Sequence, residues 1–313
     1  MLTLEDFPVE DISDHLATAD AVVWVDLCAP DPDDLAHVAV ELGLHRLAVA
    51  DATDLRQRPK LDHYASHEFL NMYAVDLDHR DGHLRLSELS AFITRNALIT
   101  IRKSPDFDIE QVVARWDDLS DLAEHGVGFL LYGLIDHVVD GHFAAVQDLD
   151  EEIEALEDLL FDQRTGDEEL QRRSFALRKS LVTLRRVVLP MREVVNSLLR
   201  RDLDVVTDDM APYFQDVYDH VLRATEWTES LRDLVTTILE TNITLQGNRL
   251  NVITKKVTSW AAIIAVPTAI TGWYGQNLPY PGFASTSGLI TSFLLISVIS
   301  VGLYITFKRK DWL

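Results

Sequence analysis

The hydrophobic rhythm of the chain changes along its length. In the first 105 residues, short β-branched or aromatic runs, AVVWVDL (21–27), EFLNMYAVDL (68–77), LSELSAFIT (86–94) and ALITIRK (97–103), alternate with helical segments. This pattern predicts an α/β domain. Asp31-Pro32-Asp33-Asp34 is a helix start, with proline and acids in the first turn and Gly43 near the end. After Gly128 the period is helical throughout. A helix over roughly 128–163 places Ile135, Val138, Val146, Leu149, Ile153, Leu156 and Leu160 toward one partner. Leu170, Ser174, Leu177, Leu181, Leu184, Val188, Met191, Val195 and Leu198 then follow an unbroken 4,3 alternation, with Pro190 inside as a kink. The break at Thr165-Gly166-Asp167 lets these two helices run antiparallel.

A third helical pattern starts after Pro212 and meets no proline before Pro267. Continuous to Trp273, it is roughly 90 Å long. Along its C-terminal part the 4,3 alternation picks out Glu240, Thr244, Gly247, Asn251, Thr254, Thr258, Ala261, Ala265, Thr268, Gly272 and Gly275. Every one after Glu240 is small or uncharged and polar, while Ile253, Val257, Trp260, Ile263, Ile264, Val266 and Ile270 occupy the other faces. A helix facing lipid all round does not sort its residues this way. Two readings follow: a close helix–helix contact of the small-xxx-small type, or the lining of a water-filled path. The intramembrane polar groups favour the path. Two spans per chain cannot enclose one, so this reading requires a homo-oligomer.

Two apolar stretches carry no charge, Val257–Trp273 and Ser287–Phe307. A bilayer core takes about 20 helical residues; the first stretch reaches this with neighbours and snorkelling lysines. Charge sharpens the division. Residues 1–240 hold 22 Lys or Arg against 50 Asp or Glu, and residues 241–313 hold 6 against 1, within a formal net charge of −23. Lys255 and Lys256 precede the first span, as does Arg249, and Lys308, Arg309 and Lys310 follow the second. Both termini are therefore expected in the cytoplasm, with a short external loop between the spans. Trp260, Trp273, Tyr274, Tyr280 and Trp312 suit interfacial positions. The opening Met1-Leu2-Thr3-Leu4-Glu5-Asp6 has no signal-peptide pattern, which agrees with a cytoplasmic N-terminal domain.

Other chemistries find little support. The acidic surface argues against nucleic acid. One cysteine, Cys28, excludes a disulfide framework and a multi-cysteine metal site and reads as a small buried apolar residue. No glycine-rich nucleotide loop occurs. His63, His67 and Asp62 lack a nucleophile motif, so no enzyme is expected. The run Asp148, Asp150, Glu151, Glu152, Glu154, Glu157 and Asp158 reads as a solvated helix face.

Tyr274-Gly275-Gln276-Asn277 stands at the end of the first span. With RQRPKLD (56–62), LLYGLIDHVVD (130–140), LPMREVVNSLLRRD (189–202), PYFQDVYDH (212–220) and KRKDWL (308–313), it resembles the CorA family of magnesium (cobalt/nickel) transport channels. The resemblance implies an α+β membrane protein assembled as a funnel-shaped homopentamer. Residues 1–127 form its cytoplasmic α/β domain and 128–252 a helical hairpin and stalk helix. Residues 253–313 form the membrane domain, with spans at about 253–273 and 287–307, an external loop over 274–286 and a basic tail from 308 to 313. Gly275, Gln276 and Asn277 occupy the family's ion-selective signature at the external mouth, Gln276 in place of methionine. Glu240, Asn251 and Thr268 match pore-facing positions, and Thr254, Thr258, Ala261 and Ala265 complete the lining. Asp51 and Asp216 match carboxylates that bind regulatory magnesium between subunits, with Ala50 where an acid is common; a helix cap and a solvated residue are their structural alternatives.

The implied activity is entry of hydrated magnesium down the potential of a bacterial inner membrane, with magnesium both cargo and regulator and no organic cofactor. Two alternatives remain: a proton-coupled zinc transporter on the same architecture, and a non-conducting membrane-anchored sensor or scaffold. Partners are other copies of the chain, the lipid bilayer and divalent cations, not nucleic acid.

Overall fold

The computed structural model describes residues 22–54, 57–78, 83–161, 167–200, 205–276, 279, 281–283 and 285–313. The chain divides into two compact units, one ending at Ile238 and one running from Leu239 to Leu313.

The first unit is built on a five-stranded sheet of β1 (Val23–Cys28), β2 (Lys60–His63), β3 (Glu68–Asp78), β4 (His83–Ile93) and β5 (Ala97–Arg102), in the order β1-β5-β4-β3-β2. β1 joins β5 in parallel and every other pair is antiparallel. The short strand β2 was not expected; its four residues Lys-Leu-Asp-His carry too little periodicity to announce it. Two helices, α1 (Pro32–Glu41) and α2 (Arg46–Thr53), fill the crossover from β1 toward β2. Asp31 caps α1 as its sequence predicts, its carboxylate accepting from the Asp33 N–H at 3.3 Å. Gly43 follows with φ of 60°, a conformation that only glycine adopts without strain. Leu35, Val38, Leu44, Ala48 and Ala52 from this segment pack on Val25, Phe69, Phe92, Ile99 and Ile101 of the sheet.

The helix α3 (Ile109–Asp118) and a 3-10 turn (Ser120–His125) lead into α4 (Val127–Phe161) and α5 (Asp167–Leu199). α4 packs on β3, and α5 on α4, β2 and β4. Every residue of the predicted seam from Leu170 to Leu198 is buried, as are all seven predicted on α4. The break between the two helices lies largely outside the described residues. Gly133 lets α3 approach α4, since a Cβ there would stand 2.5 Å from the Trp116 indole. That indole is fully enclosed and donates to the Leu130 carbonyl at 3.0 Å.

Helix α6 (Ala211–Tyr274) is one continuous element of 64 residues, and α7 (Thr286–Arg309) follows it. Among the described residues, two helices are long and apolar enough to cross a membrane: Val127–Leu160, which is mostly buried in the first unit, and Thr286–Arg309, which is almost wholly uncovered. The end of α6 is not one of them. The expectation of a first span at 253–273 thus rests on its lack of charge beyond Lys256, because its threonines, tryptophans and Pro267 dilute its hydropathy.

Candidate ion path and metal-binding site

The stripe on α6 is exposed at every position from Glu240 through Thr244, Gly247, Asn251, Thr254, Thr258, Ala261, Ala265, Thr268 and Gly272 to Gly275. The half-covered or buried positions at this end of the helix include Ser259, Ile263, Val266 and Ile270. Among the described residues, nothing covers the stripe. Apolar residues on a further side, Val257, Trp260 and Ile264, are more than half exposed. This end of α6 therefore shows three faces of different chemistry.

Two hydroxyls of the stripe donate inward to their own helix, Thr244 to the Glu240 carbonyl at 2.9 Å and Thr268 to the Ile264 carbonyl at 3.1 Å. Their oxygen lone pairs are left facing outward as acceptors. Such acceptors can receive hydrogen bonds from water, including water bound to a cation. At the helix end the Gly275 N–H donates to the Thr271 carbonyl at 2.8 Å and that of Gln276 to the Trp273 carbonyl at 3.3 Å. Both residues are exposed; Asn277, the third of the signature, lies outside the described residues.

The basic collar is exposed at Lys255, Lys256, Lys308, Arg309 and Lys310. Lys308 lies 5.7 Å from the Tyr304 ring centroid and Lys310 6.0 Å from that of Trp312. Aromatic and cationic groups thus gather at the end of α7, as at a membrane–water boundary.

Asp51 sits inside α2, whose cap is His45, so it does not act as a helix cap. Its carboxylate is bound by Lys60, at 2.5 Å, and the same ammonium reaches Asp62 at 2.6 Å. Burial lowers the affinity of Lys60 for its proton, but the two carboxylates outweigh this and hold its pKa above the ordinary value. Asp216, by contrast, is 65 % exposed on α6 with His220 one turn on, Nε2 at 4.0 Å. Among the described residues, Asp51 and Asp216 have different partners.

A cluster not assigned from the sequence lies beside Asp216. His220 Nδ1 is 3.9 Å from Asp140, and Asp136, Asp140 and His220 each offer a ligand atom within 4.8 Å of the others. Arg115 from α3 bridges this pair, Nη1 to Asp136 at 2.6 Å and Nη2 to Asp140 at 2.5 Å. Burial still pushes Asp136 up to about 6, and burial also pushes the neighbouring Tyr132 phenol up to about 12. A cation bound here would have to share its carboxylates with the guanidinium. The spacing of Asp136 and Asp140 by four was visible in LLYGLIDHVVD; the contribution of Arg115 from another helix was not.

The remaining candidates disperse, and Cys28, expected to be buried, is exposed at the end of β1. Asp62 is engaged by Lys60, His63 pairs with Glu68, and His67 is buried in a stack with Tyr64. In the acidic run of α4, each carboxylate is exposed or half-buried.

A soluble α/β unit is followed by one long helix with a charge-free end and by a second helix apolar enough to cross a membrane. Residues 19–309 match the family described as CorA-like Mg2+ transporter protein, and the chain belongs to that family. It is a membrane transporter or channel family, not an enzyme family. The chain is similar to the cobalt/magnesium transport protein CorA of Thermotoga maritima, 28% identical over 98% of this chain and 89% of that one. It is also similar to the zinc transport protein ZntB of Yersinia enterocolitica, 23% identical over 96% and 90%. In fold it resembles the complete CorA magnesium transporter from Methanocaldococcus jannaschii, with a TM-score of 0.77 at 24% identity over 100% of this chain and 94% of that one.

Proposed function

We propose that the chain assembles as a homopentameric channel admitting hydrated magnesium, and cobalt, across a bacterial inner membrane with both termini in the cytoplasm. The observation that carries this reading is the exposed stripe of small and polar residues from Glu240 to Gly275, which five copies of α6 would turn toward a common axis. Gly275, Gln276 and Asn277 would form its external mouth. Neutral oxygen acceptors suit magnesium, which gives up its water reluctantly. An inside-negative potential supplies about 4.6 kcal/mol per 100 mV for a divalent ion, so transport needs no nucleotide.

Asp216, exposed on α6, and Asp51 on a neighbouring copy would bind intracellular magnesium and hold the channel closed. Loss of that ion would let the acidic units separate and widen the path near Thr254 to Ala265. Zinc is the second reading, favoured by Gln276 in the signature and by the ZntB relative. Uptake into proteoliposomes separates the two. Magnesium uptake blocked by hexamminecobalt and indifferent to a pH gradient supports the first; zinc uptake driven by a proton gradient replaces it with the second. Asn277→Ala should reduce magnesium uptake, and unchanged uptake would remove the signature's role.

A further inference from the structure

We propose that Lys60 is a resident cation at Asp51, which a divalent ion must displace before it can bind there, so that Lys60 sets the magnesium concentration at which the channel closes. This rests on the reading of Asp51 as a regulatory carboxylate. Lys60 stands at the head of β2, where pairing with Asn71 of β3 fixes its register. Its ammonium bridges Asp51 of α2 at 2.5 Å and Asp62 of its own strand at 2.6 Å. The side chain is 20 % exposed and lies 5.6 Å from the centroid of the Phe69 ring. It is thus held from several sides, unlike a lysine swinging in solvent.

The bridge is also built to open. When a divalent ion takes Asp51, the ammonium keeps Asp62 and the Phe69 ring, so it is displaced without being stranded. Two carboxylates and one ammonium leave a net charge of −1, enough to attract a divalent ion and less than the −2 that Asp51 and Asp62 would present alone.

The test is closure of the full-length channel in proteoliposomes, read as the internal magnesium concentration that halves uptake. Lys60→Met keeps the stem over Phe69 and should lower that concentration about threefold or more, the scale of a partly exposed ion pair. Lys60→Arg keeps the bridge and should stay near the unaltered value. Asp62→Asn leaves the ammonium to Asp51 alone and should raise the concentration, which keeps the proposal testable if Lys60→Met does not fold. Lys179→Met, which removes an exposed lysine elsewhere, should change nothing. An unchanged set point in Lys60→Met, or a downward shift in Asp62→Asn, overturns the proposal. Asp51→Asn separates the two claims. If it alone leaves closure intact, the regulatory reading of Asp51 fails; if it weakens closure while Lys60→Met shifts nothing, only the role of Lys60 fails.

Discussion

Along α6, the positions from Phe214 to Ile238 and those from Glu240 to Gly275 repeat the same alternation of three and four, yet they meet opposite surroundings. Phe214, Val217, Val221, Ala224, Thr228, Leu231, Val235 and Ile238 are all buried in the first unit, with Tyr132 of α4 against Phe214 and Phe143 of α4 against the nearby Trp227. From Glu240 onward the repeated positions are small or polar and exposed. Periodicity says that a helix has faces. What occupies each face is decided by side-chain size and polarity: large apolar groups gain by leaving water, while glycine, alanine and threonine gain little. A stripe of the second kind, uncovered among the described residues, would suit close approach of another copy or of water.

That contrast can be broken at either end. Val221→Asp puts an unpaired charge at a fully enclosed position and should destabilise the first unit by about 4 kcal/mol or more, read as loss of its cooperative thermal transition. Thr268→Leu, in the exposed stripe, should leave that transition in place and cut magnesium uptake about tenfold, by replacing outward acceptors with an apolar constriction. A large loss of thermal stability in Thr268→Leu would mean that the two halves do not differ as described.

A smaller effect sharpens the account of the first half. Burial holds Asp136 at about 6 against an ordinary 3.8, so the folded chain binds more protons than the unfolded one between those values. Stability attributable to this group therefore falls as pH rises from about 3.8 to 6. The fully buried His142 works the other way. Burial lowers it to about 4 from 6.5, and its contribution is lost as pH falls across that window. The melting temperature of the unaltered chain should accordingly gain on that of Asp136→Asn as pH drops from 6 toward 4. A gap independent of pH would show that Arg115 keeps Asp136 ionised.

Helical faces were legible because they are local. The seam from Leu170 to Leu198 could be read from spacing alone, and so could the small stripe of α6. Hydropathy was less informative: the buried α4 satisfies a spanning criterion that the end of α6 does not. Apolar composition reports that a helix avoids water without saying whether protein or lipid replaces it. The ion pairs were not legible, for a different reason. Lys60 of β2 meets Asp51 of α2, and Arg115 of α3 meets Asp136 and Asp140 of α4, which α3 approaches at Gly133. No pattern within either segment encodes such a meeting, so Asp51 read from sequence as a free ligand when it already has a cation.

If five copies assemble as proposed, the stripe of α6 lines a shared aqueous path. In a chain whose exposed Cys28 is replaced by alanine, Thr258→Cys and Val257→Cys can each be exposed to a charged, water-soluble thiol reagent during magnesium uptake. With a shared path, Thr258→Cys is modified and uptake stops, magnesium or hexamminecobalt slows the modification, and Val257→Cys continues to conduct. Equal block at both positions, or modified Thr258→Cys channels that still conduct, would contradict it.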